Sequence, residues 1–330
     1  DMGRFKLGCS CLGGSKKVIN EVADYAQNRQ AFGTTISSFD AIIKKVAEMT
    51  IRTFAVDSMI YRTIGSIQSE IDLLKKDDDN YFPKMIKSME KFAIETSMVK
   101  VFASDTSHWV IDEGLQIFGG YGFLEEYPLA PAYRDDRINQ IWEGTNEINR
   151  TIIAGFFMKK ALTEEIPVHK AIADIDSFFD KENAGFFKGP LKDESLTIEI
   201  AKKVFLYIFN EALCCFGQDL QHEQQITELL SNIMMDIYNV ESTIVRAKKI
   251  FKNNKNSKVI EIAKVISSDM VDQIEVSSRK IAVSIEKQGS SNISFKKLKK
   301  MVEEMRLNTD TIQLKREIAN YVFNENKYPY

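Results

Sequence analysis

Proline and glycine are scarce in this 330-residue chain, at 6 and 16 positions. Few residues are therefore present to break long helices. Cysteine is rarer still: Cys9, Cys11, Cys214 and Cys215 form one C-x-C and one adjacent pair. Neither spacing suits zinc, and only 3 histidines could complete a ligand set, so no metal site is expected. The four are read as reduced thiols packed in helices, in a reducing compartment. A surplus of positive charge is also missing. The 44 Lys and Arg against 47 Asp and Glu leave a net charge of -3, which argues against nucleic acid as the main partner. No apolar run reaches the roughly 18 residues needed to cross a bilayer. The first residue is Asp1 rather than Met, so the chain is expected to begin partway through a longer product.

What is present is an ordinary globular balance, 44% hydrophobic and 28% charged. The length corresponds to about two domains of roughly 150 residues. Val18, Ile19, Val22 and Tyr25 recur at three- and four-residue spacing and mark a first helix, from about Phe5 to Arg29, which Gly33 ends. Ile42, Val46, Met49, Phe54 and Ile60 mark a second helix that begins near Ser38. It fades at Lys75 to Asn80, a charge run read as a solvated turn. Pro83 suits the first turn of a third helix, whose stripe of Ile86, Met89, Phe92, Met98, Phe102 and Trp109 ends at Gly119-Gly120. A fourth starts near Thr145 with Ile148, Ile152, Phe156 and Met158 on its apolar side. Helical patterns resume at about 194–216, 223–253, 256–288, 294–305 and 309–324. No segment alternates with period two. The fold class expected is all-α: two helical bundles in tandem, 1–163 and 191–330, joined by a linker over 164–190.

The block Arg134-Asp135-Asp136-Arg137-Ile138-Asn139-Gln140-Ile141-Trp142-Glu143-Gly144-Thr145-Asn146-Glu147 carries the most chemistry. Glu143 stands before Gly144 and a good N-cap at Thr145, so its carboxylate projects from a turn, where a glycine lets a ligand approach the backbone. Buried beneath an apolar acyl chain, it would become a stronger base. The plainer reading is a glutamate that favours its own helix through the dipole. Arg134 to Arg137 read as a structural ion-pair cluster. Trp142 reads either as a wall of a ligand site or as a core residue. His108, His169 and His222 have no convincing catalytic partners.

The same block resembles the R-D-x-R-I…W-E-G-T signature of acyl-CoA dehydrogenases, in which the glutamate before Gly-Thr is the catalytic base. Three further stretches match that family in order. Asp1-Met2-Gly3-Arg4 resembles the segment that opens its C-terminal helical domain and contacts acyl-CoA. Arg29-Gln30-Ala31-Phe32-Gly33 resembles the R-x-x-F-G turn that touches flavin across a subunit interface. Gln116-Ile117-Phe118-Gly119-Gly120-Tyr121-Gly122 resembles a Q-x-x-G-G-x-G stretch that also meets the flavin dinucleotide. The resemblance covers roughly residues 1–162. It implies FAD as cofactor, an acyl-CoA substrate and electron-transfer flavoprotein as electron acceptor. Glu143 takes a proton beside the thioester carbonyl while the cofactor does the redox work, giving a trans-2-enoyl-CoA in fatty-acid β-oxidation. Gly144 would lie against substrate. Thr145, Asn146 and Glu147 would present a helix N-terminus and polar groups to flavin, and Arg29 would neutralise its pyrophosphate.

A complete family member carries an N-terminal helical domain and a middle β domain before the segment matched at Asp1, so both are expected to be missing and the chain alone to bind flavin poorly. The helical extension, with Asp236 to Ser242 and Arg246, resembles more loosely the very-long-chain branch, which implies long acyl chains and a homodimer. Phe295 to Arg306 is a basic amphipathic stretch, read as the solvated face of a bundle or as a peripheral membrane contact. The resemblance leaves two other readings open: an acyl-CoA oxidase, and a non-catalytic helical scaffold descended from the enzyme. The expected location is cytoplasmic in a bacterium or mitochondrial in a eukaryote, with membrane association an option.

Overall fold

A computed structural model describes residues 2–180, 187–288 and 293–330 of the chain. In the first half, α1 (Met2–Asn28) leads through a hairpin, β1 (Gln30–Ala31) and β2 (Thr34–Thr35), into α2 (Asp40–Asp72). Then come α3 (Tyr81–Glu90), α4 (Ala93–Phe118), the short α5 (Gly120–Phe123) and α6 (Leu129–Asp136), and α7 (Asn146–Leu162). The two short helices α8 (Val168–Ala173) and α9 (Ile175–Phe179) precede α10 (Lys192–Phe216), α11 (Gln224–Asn254), α12 (Lys258–Lys287), α13 (Phe295–Met305) and α14 (Thr311–Glu325). The all-α expectation holds. The hairpin's two-residue strands are too short to leave an alternating signature.

Helices α1 and α4 run in the same direction. Arg4 donates to Ser97 at one end, and Tyr25 stacks on Phe118 at the other with ring centroids 3.9 Å apart. Small residues let them touch: a Cβ on Gly8 would lie 2.7 Å from Val99 Cγ1, and one on Gly114 2.9 Å from Val18 Cγ1. Helices α2 and α7 run the opposite way. Asn146 at the start of α7 meets Lys100 and Ser104, while Lys160 near its end donates to the Lys91 carbonyl. The expected single third helix is in fact two, α3 and α4, broken at Lys91 and Phe92. Lys160 supplies a donor to the Lys91 carbonyl at the break.

The five expected apolar positions on α2 understate its burial. From residue 46 to 60 nearly every side chain is enclosed, including Val46, Met49, Ile51, Phe54, Val56 and Met59. A helix buried on all sides has partners on all sides. Here α1 and α4 cover one side and α11, α12 and α14 the other. Polar residues inside this stretch satisfy themselves locally: Thr50, Ser58 and Thr63 each donate to the carbonyl four residues back.

The two halves pack against each other through a shared apolar core. One apolar cluster runs from Val18 and Phe54 through Phe205, Ile233 and Ile262 to Phe323. The stretch expected as a linker also joins it, since α8 and α9 bury Val168 and Ile175; residues 181–186 lie outside the described residues. A polar seam closes the junction. Tyr238 shares a 2.8 Å hydrogen bond with Thr63, Arg62 pairs with Glu241 at 2.7 Å, and Arg246 pairs with Asp57 at 3.0 Å. Asp57 is fully buried and also takes Lys16 at 2.9 Å, so two cations balance one enclosed carboxylate. The stretch Asp236 to Ser242 is thus the face of α11 that meets the first half.

One amphipathic reading is narrowed and another corrected. On α13, Leu298, Met301, Val302 and Met305 are buried in packing against α10, and Lys297 pairs with Asp176 at 2.6 Å. The apolar side that a membrane would take is already occupied within the chain. On α7, the side turned inward carries Asn149, Ile153, Ala154 and Ala161, whereas Ile148 and Phe156 are exposed. No described helix is long and apolar enough to cross a membrane. All four cysteines are free and lie in helices; burial pushes the Cys11 thiol up to about 12.

Candidate active site

After α6 a short 3-10 turn, Arg137–Gln140, leads to Glu143 and Gly144, which adopt φ of 56° and 83° in succession. Glycine takes the left-handed region freely; glutamate does so at a cost on the order of 1 kcal/mol. The surroundings impose it. Asn149 reaches back from α7 and donates to the carbonyls of Gly144 at 2.8 Å, Thr145 at 3.1 Å and Glu143 at 3.4 Å. Thr145 caps α7, its hydroxyl accepting from the Ile148 amide at 3.3 Å. Arg4 donates to the Glu143 carbonyl from the other side at 3.4 Å.

One carboxylate clamps both flanks of this turn. Asp105 Oδ1 on α4 accepts from Gln140 at 2.8 Å and from Asn146 at 2.7 Å. Its Oδ2 pairs with Arg150 at 3.0 Å. Behind it, Lys100 is fully buried and donates to Asn146 Oδ1 at 2.6 Å; burial lowers its ammonium pKa. Asn146 is therefore not a side chain offered to a cofactor. It is buried, and its amide ties the turn to α4. Glu147 remains exposed in the first turn of α7, where its own backbone amide and the Thr145 hydroxyl lower its pKa.

The Glu143 side chain is exposed, not buried as a base under an acyl chain would be. Its carboxylate lies against the first turn of α1. A Cβ on Gly3 would come within 2.6 Å of either oxygen, so a larger residue there would displace the carboxylate. The N-terminal end of a helix suits that negative charge. Met2, Gly3 and Arg4 form this turn, while Asp1 lies outside the described residues. Trp142 is 51% exposed and donates to Asn139, so it is no core residue. Ile138, Ile141 and Ile148, close to it in the chain, are exposed apolar side chains as well. The Arg134 to Arg137 block is anchored differently from an ion-pair cluster: Asp136 accepts from Ser107 at 2.6 Å and Asn139 at 3.1 Å, with His108 Nδ1 at 3.5 Å.

The other two expected stretches meet at the far end of α1. Phe32 and Gly33 turn the hairpin with φ of 53° and 83°, the mirror-image geometry that two-residue hairpins favour. The Phe32 ring is 97% exposed. Gln30 and Ala31 form the first strand. Gly119, at φ 62° and ψ -139°, ends α4 in a conformation only glycine takes easily, and Gln116 accepts from its amide at 3.1 Å. The Arg29 guanidinium lies 5.2 Å from the Tyr121 ring centre. Between them is a hollow of about 400 Å³ lined by Tyr25, Arg29, Ile117, Phe118, Gly119 and Tyr121. Ile117 and Phe118 are core side chains that floor it. Nothing stands within 4 Å of where a Cβ on Gly119 or Gly120 would be, so a ligand has open access to that backbone. A guanidinium, an aromatic ring and bare glycine backbone fit the phosphates and rings of a dinucleotide.

Residues 1–157 match a family profile described as "Acyl-CoA dehydrogenase, C-terminal domain", and residues 200–300 match a second profile with the same description. The chain carries C-terminal domains of the acyl-CoA dehydrogenase family. A "Probable acyl-CoA dehydrogenase" of Bacillus subtilis (strain 168) is 33% identical over 334 residues, 99% of this chain and 56% of that protein. The solved acyl-CoA dehydrogenase complexed with FAD from Bacillus anthracis superposes with a TM-score of 0.91 at 31% identity, again over 99% and 56% of the two chains. The chain thus spans little more than half the length of these relatives. Acyl-CoA oxidase3 of Yarrowia lipolytica shares the fold, with a TM-score of 0.69 at 19% identity over 98% of this chain and 48% of its own. The sequence motifs did not point to Asp105, Asn149 or Arg150. Two of them directly follow the matched block, but only the fold brings Asp105 beneath it.

Proposed function

We propose that this chain carries the catalytic base and part of the FAD-binding surface of an acyl-CoA dehydrogenase, which converts an acyl-CoA to its trans-2-enoyl-CoA. The observation that carries this reading is the setting of Glu143. An exposed carboxylate stands on a braced left-handed turn, and Ile138, Ile141, Trp142 and Ile148, close to it in the chain, leave apolar side chains exposed. An acyl chain laid on Ile138, Ile141, Trp142 and Ile148 would exclude water from Glu143, raise its basicity, and leave it positioned to take a proton from the carbon beside the thioester carbonyl. FAD, when bound, supplies the hydride acceptor. Arg29, Tyr121, Gly119 and Gly120 would hold phosphate and ring portions of it, and Glu147 and the N-terminus of α7 face the same medium as Glu143. Electron-transfer flavoprotein is the proposed electron acceptor.

The 27 residues of α1 separate Glu143 from Arg29 by roughly 40 Å at 1.5 Å per residue. A single active site therefore takes the two from different copies, which supports a homodimer. Long acyl chains and a role in β-oxidation are part of the proposal, on the looser resemblance of the extension to the very-long-chain branch. Peripheral membrane contact finds no support in α13, whose apolar face is covered. The decisive experiment replaces Glu143 by Gln in the assembled, FAD-loaded enzyme and follows acyl-CoA dehydrogenation with an artificial electron acceptor. Activity should fall by about 10²–10⁴-fold with the fold intact. Undiminished turnover removes Glu143 from this role. Stoichiometric hydrogen peroxide from the wild type would favour an oxidase.

A further inference from the structure

Arg150 sits one turn into α7 and is held from two directions. Its terminal NH2 pairs with Asp105 at 3.0 Å, and its Nε donates to Asn232 Oδ1 on α11 at 2.8 Å. Ser231, beside Asn232, donates to the Arg150 backbone carbonyl at 2.7 Å. Asp105 in turn clamps Gln140 and Asn146, the two residues that bracket Glu143. An unbroken chain of hydrogen bonds therefore runs from the extension to the turn bearing the base. The guanidinium fork explains why arginine is used: one plane of donors can serve an amide oxygen and a carboxylate together, which a lysine ammonium on a flexible stem does not fix.

We propose that Asn232 and Arg150 are positioning residues, through which the helical extension fixes the Glu143 turn. The inference rests on Glu143 being the base, and it deepens that reading by giving the extension a part in the active site. Without Asn232, Arg150 keeps its charge partner but loses the contact that sets its plane. Asp105 then holds Gln140 and Asn146 less rigidly, and the strained φ of Glu143 is free to relax. Asp105 is half-buried, so the effect is local order at the turn rather than collapse of the bundle.

Hydrogen exchange on this chain tests the idea without needing turnover. Asn232→Leu keeps size and removes the acceptor; amides of residues 141–147 should then exchange about tenfold faster, the scale of one hydrogen bond to a charged group. The hairpin at 29–35, at the opposite end of α1, should not change. Asn232→Asp restores an acceptor for Arg150 and should return exchange to the wild-type rate. Arg150→Met, which also removes the charge partner of Asp105, should raise exchange at least as much, and the double variant should be no worse than Arg150→Met alone. Two outcomes overturn the proposal: unchanged exchange at 141–147 in Asn232→Leu, or an equal rise everywhere, which marks a purely structural role. Because Glu143→Gln is judged by dehydrogenation and Asn232→Leu by exchange, each idea can fail without the other.

Discussion

The Glu143 turn and the Phe32 hairpin use the same backbone device and differ in how it is supported. Each places a bulky residue and then a glycine in the left-handed region, at 56° and 83° in one and 53° and 83° in the other. Around Glu143 the strain is held by Asn149, Thr145, Arg4 and Asp105. Around Phe32 the ladder is two residues long, and its ring meets Phe39 at 6.1 Å while staying exposed. The first arrangement fixes a functional group to within a fraction of an ångström. The second offers an edge to something else. Strain alone does not mark a catalytic turn; bracing does.

Several substitutions break or sharpen that contrast. The largest effect on stability is expected from Asp105→Ala, which removes one acceptor from three donors. Chemical denaturation should show a loss of about 2–3 kcal/mol, with proteolysis near residue 143 rising first. Next comes Gly144→Ala. It adds backbone strain at φ 83° and a Cβ 3.0 Å from Asn149 Nδ2, so about 2 kcal/mol should be lost. Gly33→Ala has the same φ and open space around it, so only the strain remains, about 1 kcal/mol. Equal losses at the two glycines would erase the distinction between braced and unbraced turns. Phe32→Ser should change stability by less than about 0.5 kcal/mol, while sedimentation velocity should show weakened self-association.

A pH measurement probes the same bracing from the extension's side. Desolvation pushes the Asp236 carboxyl up to about 7, against the pull of Arg150. A raised folded-state pKa in an acid means the native state holds its proton longer than the unfolded chain does. Stability from this group is therefore greatest at low pH, declines as pH rises from about 4 to 7, and is level above that. Asp236→Asn should flatten this slope and make the protein relatively more stable at pH 8, as read from denaturation midpoints.

Much of this was legible in the sequence. The helices, the capped start of α7, the glycine stops and the four family stretches could all be named from residue types and order. The sequence could also say that Glu143 lies in a turn, because Gly144 and Thr145 follow it. It could not say which side of α7 is inward. Ile148, Ile152 and Phe156 make a good stripe, but the side with Asn149, Ile153 and Ala154 packs, since small residues let α7 approach α4. The basic pattern of α13 left two readings open for the same reason: periodicity reveals a face without revealing what covers it. Asn146 and Asp105 lie 41 positions apart, so their pairing is a property of the fold and not of any local signal.

The position of α2 between the two halves carries a consequence for what can be cut or lost. Phe54 meets Tyr330 at 5.2 Å, and Asp57, Arg62 and Thr63 spend their polar atoms on α11. A chain cut before α10 would show that flank of α2 to water, its apolar residues bare and its charges without their partners. The later helices therefore cannot be removed by a single truncation without leaving a surface that invites aggregation.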